Sequence, residues 1–399
     1  MELNRVMRQI LPPDLKGALE FLYLITAIVL GTIFALPAGA EHAVKHVFIY
    51  HQPGRFAGFP ANHGIWNWGN EILVGFSAGD YKDLGPDRHA IDREKPEEHL
   101  LARSLDGGET WVIENPGAKG LLIGAAGGRH GTLPSGVSEP QPTDCPGGID
   151  FAHPDFAMTC RMAGTDAGQS RFCYSYDRGH HWKGPFHLPL FGQPGIAART
   201  DYIVDGPKEC HIFLTASKSN RREGRVICAQ TVDAGKSWLL LGQVGPEPEG
   251  YSIMPSSVRL TSSNLLTTIR CRAGADARGK SWIEAWFSPD NGQSWSFLNR
   301  PVADTGEGNP PHLMKLMDGR VCLTYGVRAA PFRICATLSS DGGRTWSVEK
   351  VLRDDGGNRD LGYVRSIQRP DGKAVTVYYF WDQKNGPERY LAATIWDPR

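Results

Sequence analysis

The sequence has no excess of charge of either sign: 43 Lys and Arg balance 43 Asp and Glu over 399 residues. That balance excludes the broad basic field with which proteins hold nucleic acid non-specifically, and it confines any anion recognition to local clusters. Long amphipathic helical stretches are missing, which argues against a helical bundle. Among the eight cysteines there is no C-x-x-C or Cys/His zinc spacing. No motif demands a metal or a nucleotide, so no cofactor is expected. Linker-like and low-complexity stretches are absent from 41–399, and that span reads as one domain. What the chain has in quantity is turn formers and aromatics: Gly 47, Pro 28, Phe 16, Tyr 12 and Trp 11. This mixture suits many short strands joined by tight turns, and the expected class is all-β.

The N-terminus carries Arg5, Arg8 and Lys16, an apolar run from Phe21 to Leu36, and then Pro37-Ala38-Gly39-Ala40. Small residues at Ala38 and Ala40 form an A-x-A cleavage signal, so 1–40 reads as a secretory signal peptide and 41–399 as the mature domain. The alternative is an uncleaved membrane anchor, since the run is near the lower length for a span. Either reading places the domain outside the cytoplasm, secreted or periplasmic. Six cysteines then form hairpin-like pairs: Cys160 with Cys173, Cys210 with Cys228, and Cys322 with Cys335. An oxidising compartment permits disulfides there, and a buried thiol is the equal alternative.

An octapeptide recurs five times: SLDGGETW (104–111), SYDRGHHW (175–182), TVDAGKSW (231–238), SPDNGQSW (288–295) and SSDGGRTW (339–346). The spacing matches a four-stranded propeller blade with its loops. In each copy the Asp can accept hydrogen bonds from its own turn, the Gly two residues on can take positive φ, and the Trp can pack between sheets. Five copies point to structure, because one active site has no use for five catalytic aspartates. The segment 362–396 repeats the blade pattern without an octapeptide and with three strands, and HVFIYH (46–51) is available as its fourth. A six-bladed β-propeller with six four-stranded sheets, closed by its N-terminal strand, is therefore expected.

These octapeptides resemble the Asp boxes of the sialidase superfamily, and the resemblance spans nearly all of 45–396. In a propeller the starts of inner strands and the ends of second strands meet at one face. The former offer Arg55, His63, Arg199, Asn309 and Tyr363, and the latter Asp80, Arg270 and Arg328. Guanidinium groups converging from different blades would bind a carboxylate by charge-assisted pairs; the alternative is that each merely pairs with a nearby acid on the rim. The superfamily holds the carboxylate of sialic acid with three arginines, which Arg55, Arg270 and Arg328 resemble. Its nucleophile is a tyrosine, and Tyr363 in DLGYVRSIQRPDG matches it. The resemblance also implies an acid/base aspartate in the acidic loop 78–98, with Asp92 the first candidate and Asp80 the second.

Two departures stand out. Where the family has a glutamate to activate the tyrosine, this sequence reads Tyr251-Ser-Ile-Met-Pro-Ser-Ser, and a second family glutamate corresponds to Tyr378 or Tyr379. His63, set beside Trp66 and Trp68, is a candidate base for β-elimination from a uronic-acid glycan, or else a structural histidine. The expected function is thus a sialidase-like exo-glycoside hydrolase acting on an acidic glycan. A lyase or a non-catalytic glycan-binding propeller on the same scaffold are the alternatives. No nucleic-acid partner and no membrane contact beyond an anchor are expected, and the domain reads as a monomer.

Overall fold

A computed structural model describes residues 44–119, 122, 140–274 and 280–399. The signal-peptide reading of 1–40 lies outside them. Among the described residues no helix is long and apolar enough to cross a membrane.

Among the described residues twenty-five strands form six sheets, arranged as the blades of a six-bladed β-propeller. Blade one holds β2 (Arg55–Gly58), β3 (Ile65–Trp68), β4 (Glu71–Asp80), β5 (Glu98–Ser104) and β6 (Val112–Glu114). Blade two holds β7 (Ala157–Arg161), β8 (Arg171–Ser175) and β9 (Lys183–His187). Blade three holds β10 (Ile196–Ala197), β11 (Tyr202–Gly206), β12 (Glu209–Ser217), β13 (Glu223–Thr231) and β14 (Leu239–Val244). Blade four runs from β15 (Tyr251–Arg259) and β16 (Leu265–Arg272) to β17 (Ser281–Ser288) and β18 (Ser296–Val302). Blade five follows with β19 (His312–Lys315), β20 (Val321–Val327), β21 (Phe332–Ser339) and β22 (Lys350–Gly356). Blade six holds β23 (Gly362–Gln368), β24 (Ala374–Phe380) and β25 (Tyr390–Trp396), and it is completed by β1 (Lys45–Tyr50). The closing strand pairs antiparallel in the register Lys45↔Ile395, His46↔Thr394 and Val47↔Ala393. Strands such as β4 and β24 are buried on both faces between neighbouring blades, which is why they read as near-continuous apolar runs.

The expected six four-stranded sheets need correction: three have four strands, two have five and blade two has three. In blades one and three the inner strand is broken in two. Both pieces pair with the same second strand, β2 and β3 with β4, and β10 and β11 with β12. The breaks, a short helix α1 (Pro60–His63) and the segment 198–201, lie against the exposed edge of blade two. Thr159 of β7 donates to the His63 carbonyl at 2.9 Å, and the Cys160 amide donates to Thr200 Oγ1 at 3.0 Å. The edge polar groups that an inner strand would satisfy are thus met from both sides.

The five octapeptide aspartates are structural. Asp106 accepts from Ser104 Oγ, from the amides of Glu109 and Thr110, and from Thr110 Oγ1, at 2.6–3.0 Å. Asp177, Asp233, Asp290 and Asp341 repeat the pattern. All eight cysteines are free thiols. The register explains why: Cys210 lies opposite Thr231 and Cys228 opposite Phe213, while Cys173 lies opposite Thr159 and Cys160 opposite Phe172. Cys322 and Cys335 are likewise offset, opposite Leu338 and Tyr325. None of the three pairs is directly apposed. Burial pushes the Cys160 and Cys322 thiols up to about 12.

Candidate active site

Tyr363 enters the site on the first turn of β23, with its backbone in the left-handed region at φ 52. A non-glycine residue holds that conformation only when its surroundings impose it. Here Asn309, fully buried, accepts from the Tyr363 amide at 2.8 Å and donates to the Leu361 carbonyl at 3.0 Å. The preceding Gly362, at φ 104, lies against Asn309 so closely that a Cβ would stand 2.1 Å from its Nδ2. The Tyr363 ring packs edge-on to Phe59 and Tyr379, with centroids 5.3 and 5.9 Å away.

Two buried guanidinium groups flank this ring. Arg328, 3% exposed, lies 5.3 Å from its centroid and donates to the Leu361 carbonyl and, at 2.8 Å, to Tyr379 Oη. Arg270, 7% exposed, reaches the phenol itself, and its other face stacks on Tyr251 at 5.4 Å. Among the described residues neither arginine forms an ion pair with a carboxylate, an arrangement that costs stability unless an anion completes it. Arg199, from the break in blade three, adds a third positive charge, although it is paired with Glu223 at 2.6 Å. Burial raises the Tyr363 phenol, but Arg270, Arg328 and Arg199 together outweigh it and hold the phenol below its ordinary value.

Near Tyr363, and joined to Arg328 through Tyr379 Oη, stands a pair that the sequence reading missed. His89 Nδ1 lies 2.5 Å from Asp360 Oδ1, and the His89 ring is 6.2 Å from that of Tyr363. Asp360 is fully buried, and it also accepts from the Ala90 amide, from Tyr379 Oη at 2.8 Å and from Arg389 Nε at 2.9 Å. Burial would raise this carboxyl, but His89 and Arg389 overcome it and keep Asp360 far below the carboxylate range. Burial lowers His89 more than Asp360 raises it, so the imidazole is neutral near pH 7. With Nδ1–H donated to Asp360, Nε2 makes no hydrogen bond among the described residues and is the free ring nitrogen.

The other expected residues lie elsewhere. Arg55 follows the rim reading: it is paired with Asp80 at 2.6 Å and Glu98 at 2.8 Å, and does not join Arg270 and Arg328. Asp80 is held by Lys95 as well as Arg55, both of which keep it ionised, the wrong state for a general acid. Asp92 binds Lys82 and the Glu94 amide in the same loop as His89, without touching Tyr363. His63 is 2% exposed, hydrogen-bonded to Ser77 and stacked edge-on against His99, which is the structural reading. Tyr379, one of the two residues expected to correspond to the second family glutamate, bridges Arg328 and Asp360. The available signals were a histidine in the acidic loop 78–98 and an aspartate three residues before the tyrosine.

The model of the BNR repeat-like domain matches residues 156–377. No curated protein sequence matches. Among solved structures, a protein of unknown function from Dyadobacter fermentans superposes with a TM-score of 0.65 at 19% identity, over 89% of this chain and 99% of that one. The NanB sialidase of Streptococcus pneumoniae gives 0.56 at 11% identity, over 88% and 70%. The α-L-arabinofuranosidase Arb93A of Fusarium graminearum gives 0.57 at 10% identity, over 88% and 96%. At these identities the likeness is one of fold.

Proposed function

The chain belongs to the BNR repeat-like domain family and carries the sialidase-type six-bladed propeller, and from that premise we propose that it is an exo-acting glycoside hydrolase for a carboxylate-bearing sugar. The observation that carries this reading is the pair of buried, carboxylate-free arginines, Arg270 and Arg328, on either side of Tyr363. The sugar carboxylate completes their charge, and Arg199 adds to the field. Tyr363, acidified by these same groups, passes its proton to neutral His89 and attacks the anomeric carbon as phenolate while the leaving oxygen takes that proton from the imidazolium. Neutral His89 then deprotonates the water that displaces the tyrosine oxygen, so configuration is retained and both groups return to their starting state. Asp360 orients the imidazole throughout. The expected export leader makes the substrate an extracytoplasmic glycan.

One observation favours a second reaction on the same clamp. No carboxylate contacts the phenol among the described residues, and His89 is neutral near pH 7. In β-elimination from a uronate, His89 Nε2 would take the proton next to the carboxylate, the C4–O bond would break, and Tyr363 would protonate the departing oxygen.

The two reactions separate by product. Hydrolysis predicts free sialic acid released from a sialoside with retained configuration, read by proton NMR, and a loss on the order of 10³-fold or more in Tyr363→Phe with binding kept. The hydrolytic form, Tyr363 phenolate with His89 imidazolium, carries the same number of protons as the phenol with neutral imidazole that elimination uses, so both reactions lose kcat/KM as pH falls below the lowered His89 pKa and as it rises past the lowered Tyr363 pKa. Elimination predicts an ultraviolet-absorbing product from a polyuronate. An inert sialoside alongside that product would overturn the hydrolase reading.

A further inference from the structure

The loop 81–94 of blade one lines an open cavity of about 430 Å³ whose wall includes His89 and, from the entry to blade six, Arg359. Its volume is ample for one sugar ring. His89 is thus shared: its Nδ1 is turned to Asp360 beside Tyr363, and the same ring lines this second space.

The charges of the lining decide what fits. Lys82 is neutralised by Asp92 and Glu94, at 3.3 and 3.1 Å. Arg93 is held by Glu97 at 2.6 Å, and Arg359 is paired with Glu307; both of these acids lie outside the wall. Arg88 lines the cavity next to His89 and forms no ion pair among the described residues. Asp87 is the remaining acid. The lining therefore keeps an uncommitted guanidinium within a wall whose other charges are largely answered.

We propose that this cavity is a leaving-group subsite for a second sugar carrying an anionic group, recognised by Arg88, so that the substrate is an acidic glycan charged on both sides of the cleaved bond. The proposal rests on the assigned site only in placing the cleaved bond at His89.

The test uses the full chain, Arg88→Glu and Arg328→Ala, with α2,8-linked disialic acid and digalacturonate as doubly acidic probes. Sialyllactose and a methyl galacturonoside carry the acid on one side only. Arg88 is exposed and unpaired, so its variant is expected to keep the wild-type melting temperature. The expected result is that Arg88→Glu weakens binding of a doubly acidic probe by about tenfold, by calorimetry, and leaves its singly acidic counterpart unchanged. Arg328→Ala is expected to weaken both. That pattern without turnover of any probe supports the subsite and removes the hydrolase reading. Turnover of sialyllactose with equal effects of Arg88→Glu on both probe types retains the hydrolase and overturns the subsite. Absence of binding by all four probes overturns both.

Discussion

At Tyr363 a single side chain decides whether the phenol points at its arginines. Asn309 holds the backbone on both sides of Gly362, and the Cβ of any other residue at 362 would collide with it, so the left-handed turn and the buried amide require each other. Asn309→Ala removes the acceptor for the Tyr363 amide and the donor to Leu361, a cost of about 1–3 kcal/mol if the amide stays buried. The turn then relaxes toward ordinary φ and the phenol leaves the field of Arg270 and Arg328. The expected outcome is a phenol pKa that returns toward the ordinary tyrosine value, followed by carbon-13 NMR of ring-labelled tyrosine, with kcat reduced more than KM. An unchanged phenol signal would reduce Asn309 to a packing residue. Asn309 was legible as a residue at an inner-strand start, but its effect on the neighbouring blade was not. His89 and Asp360 were not legible as a pair at all, being 271 residues apart in sequence and in contact only in the fold.

At the scale of the element, the Asp-box turn is local, and this is why it can be read from eight letters. Each carboxylate is satisfied by the hydroxyl and amides of its own turn. For Asp106 and Asp177 burial opposes ionisation but these hydrogen bonds prevail, and for Asp341 the hydrogen bonds dominate; all three lie at about 2. A folded pKa below the unfolded value of about 3.9 contributes stability that is complete above the unfolded value and is lost as pH falls through the folded one. Calorimetric melting temperatures are therefore expected to be insensitive to the boxes above pH ~5 and to drop between about pH 4 and 2. Asp→Asn in these three boxes should lower the melting temperature at neutral pH and flatten the acid drop; an undiminished drop would place the acid sensitivity elsewhere. Inner strands are less legible than boxes, because the breaks at α1 and 198–201 answer an unpaired edge of blade two that belongs to another part of the sequence. An alternating pattern within one strand carries no record of such an edge.

For the whole molecule, ring closure is the consequence with the largest reach. The pairing of β1 with β25 joins the first described residues to the last and covers an edge that would otherwise template association. Ile49 and Tyr50 are buried in the same apolar cluster as Phe76, Val377 and Leu391, between blades six and one. Removing 45–50 should expose that cluster, so the truncated chain is expected to melt at lower temperature and to self-associate in size-exclusion chromatography. A monomeric product with the parent melting temperature would show that the ring is held without its closing strand. The sequence by itself determined the blade count, the turns, the closing strand and the positions of Tyr363, Arg270 and Arg328, because each follows from a short motif or from its phase within a repeat. Only the tertiary structure decided that Arg55 and Asp80 neutralise each other on the rim, that His63 is structural, and that His89, Asp360 and Tyr379 meet beside Tyr363. The physical reason is that charge pairing and burial depend on distances between blades, and a repeat pattern records where a residue lies within its own blade but not which side chain of the next one faces it.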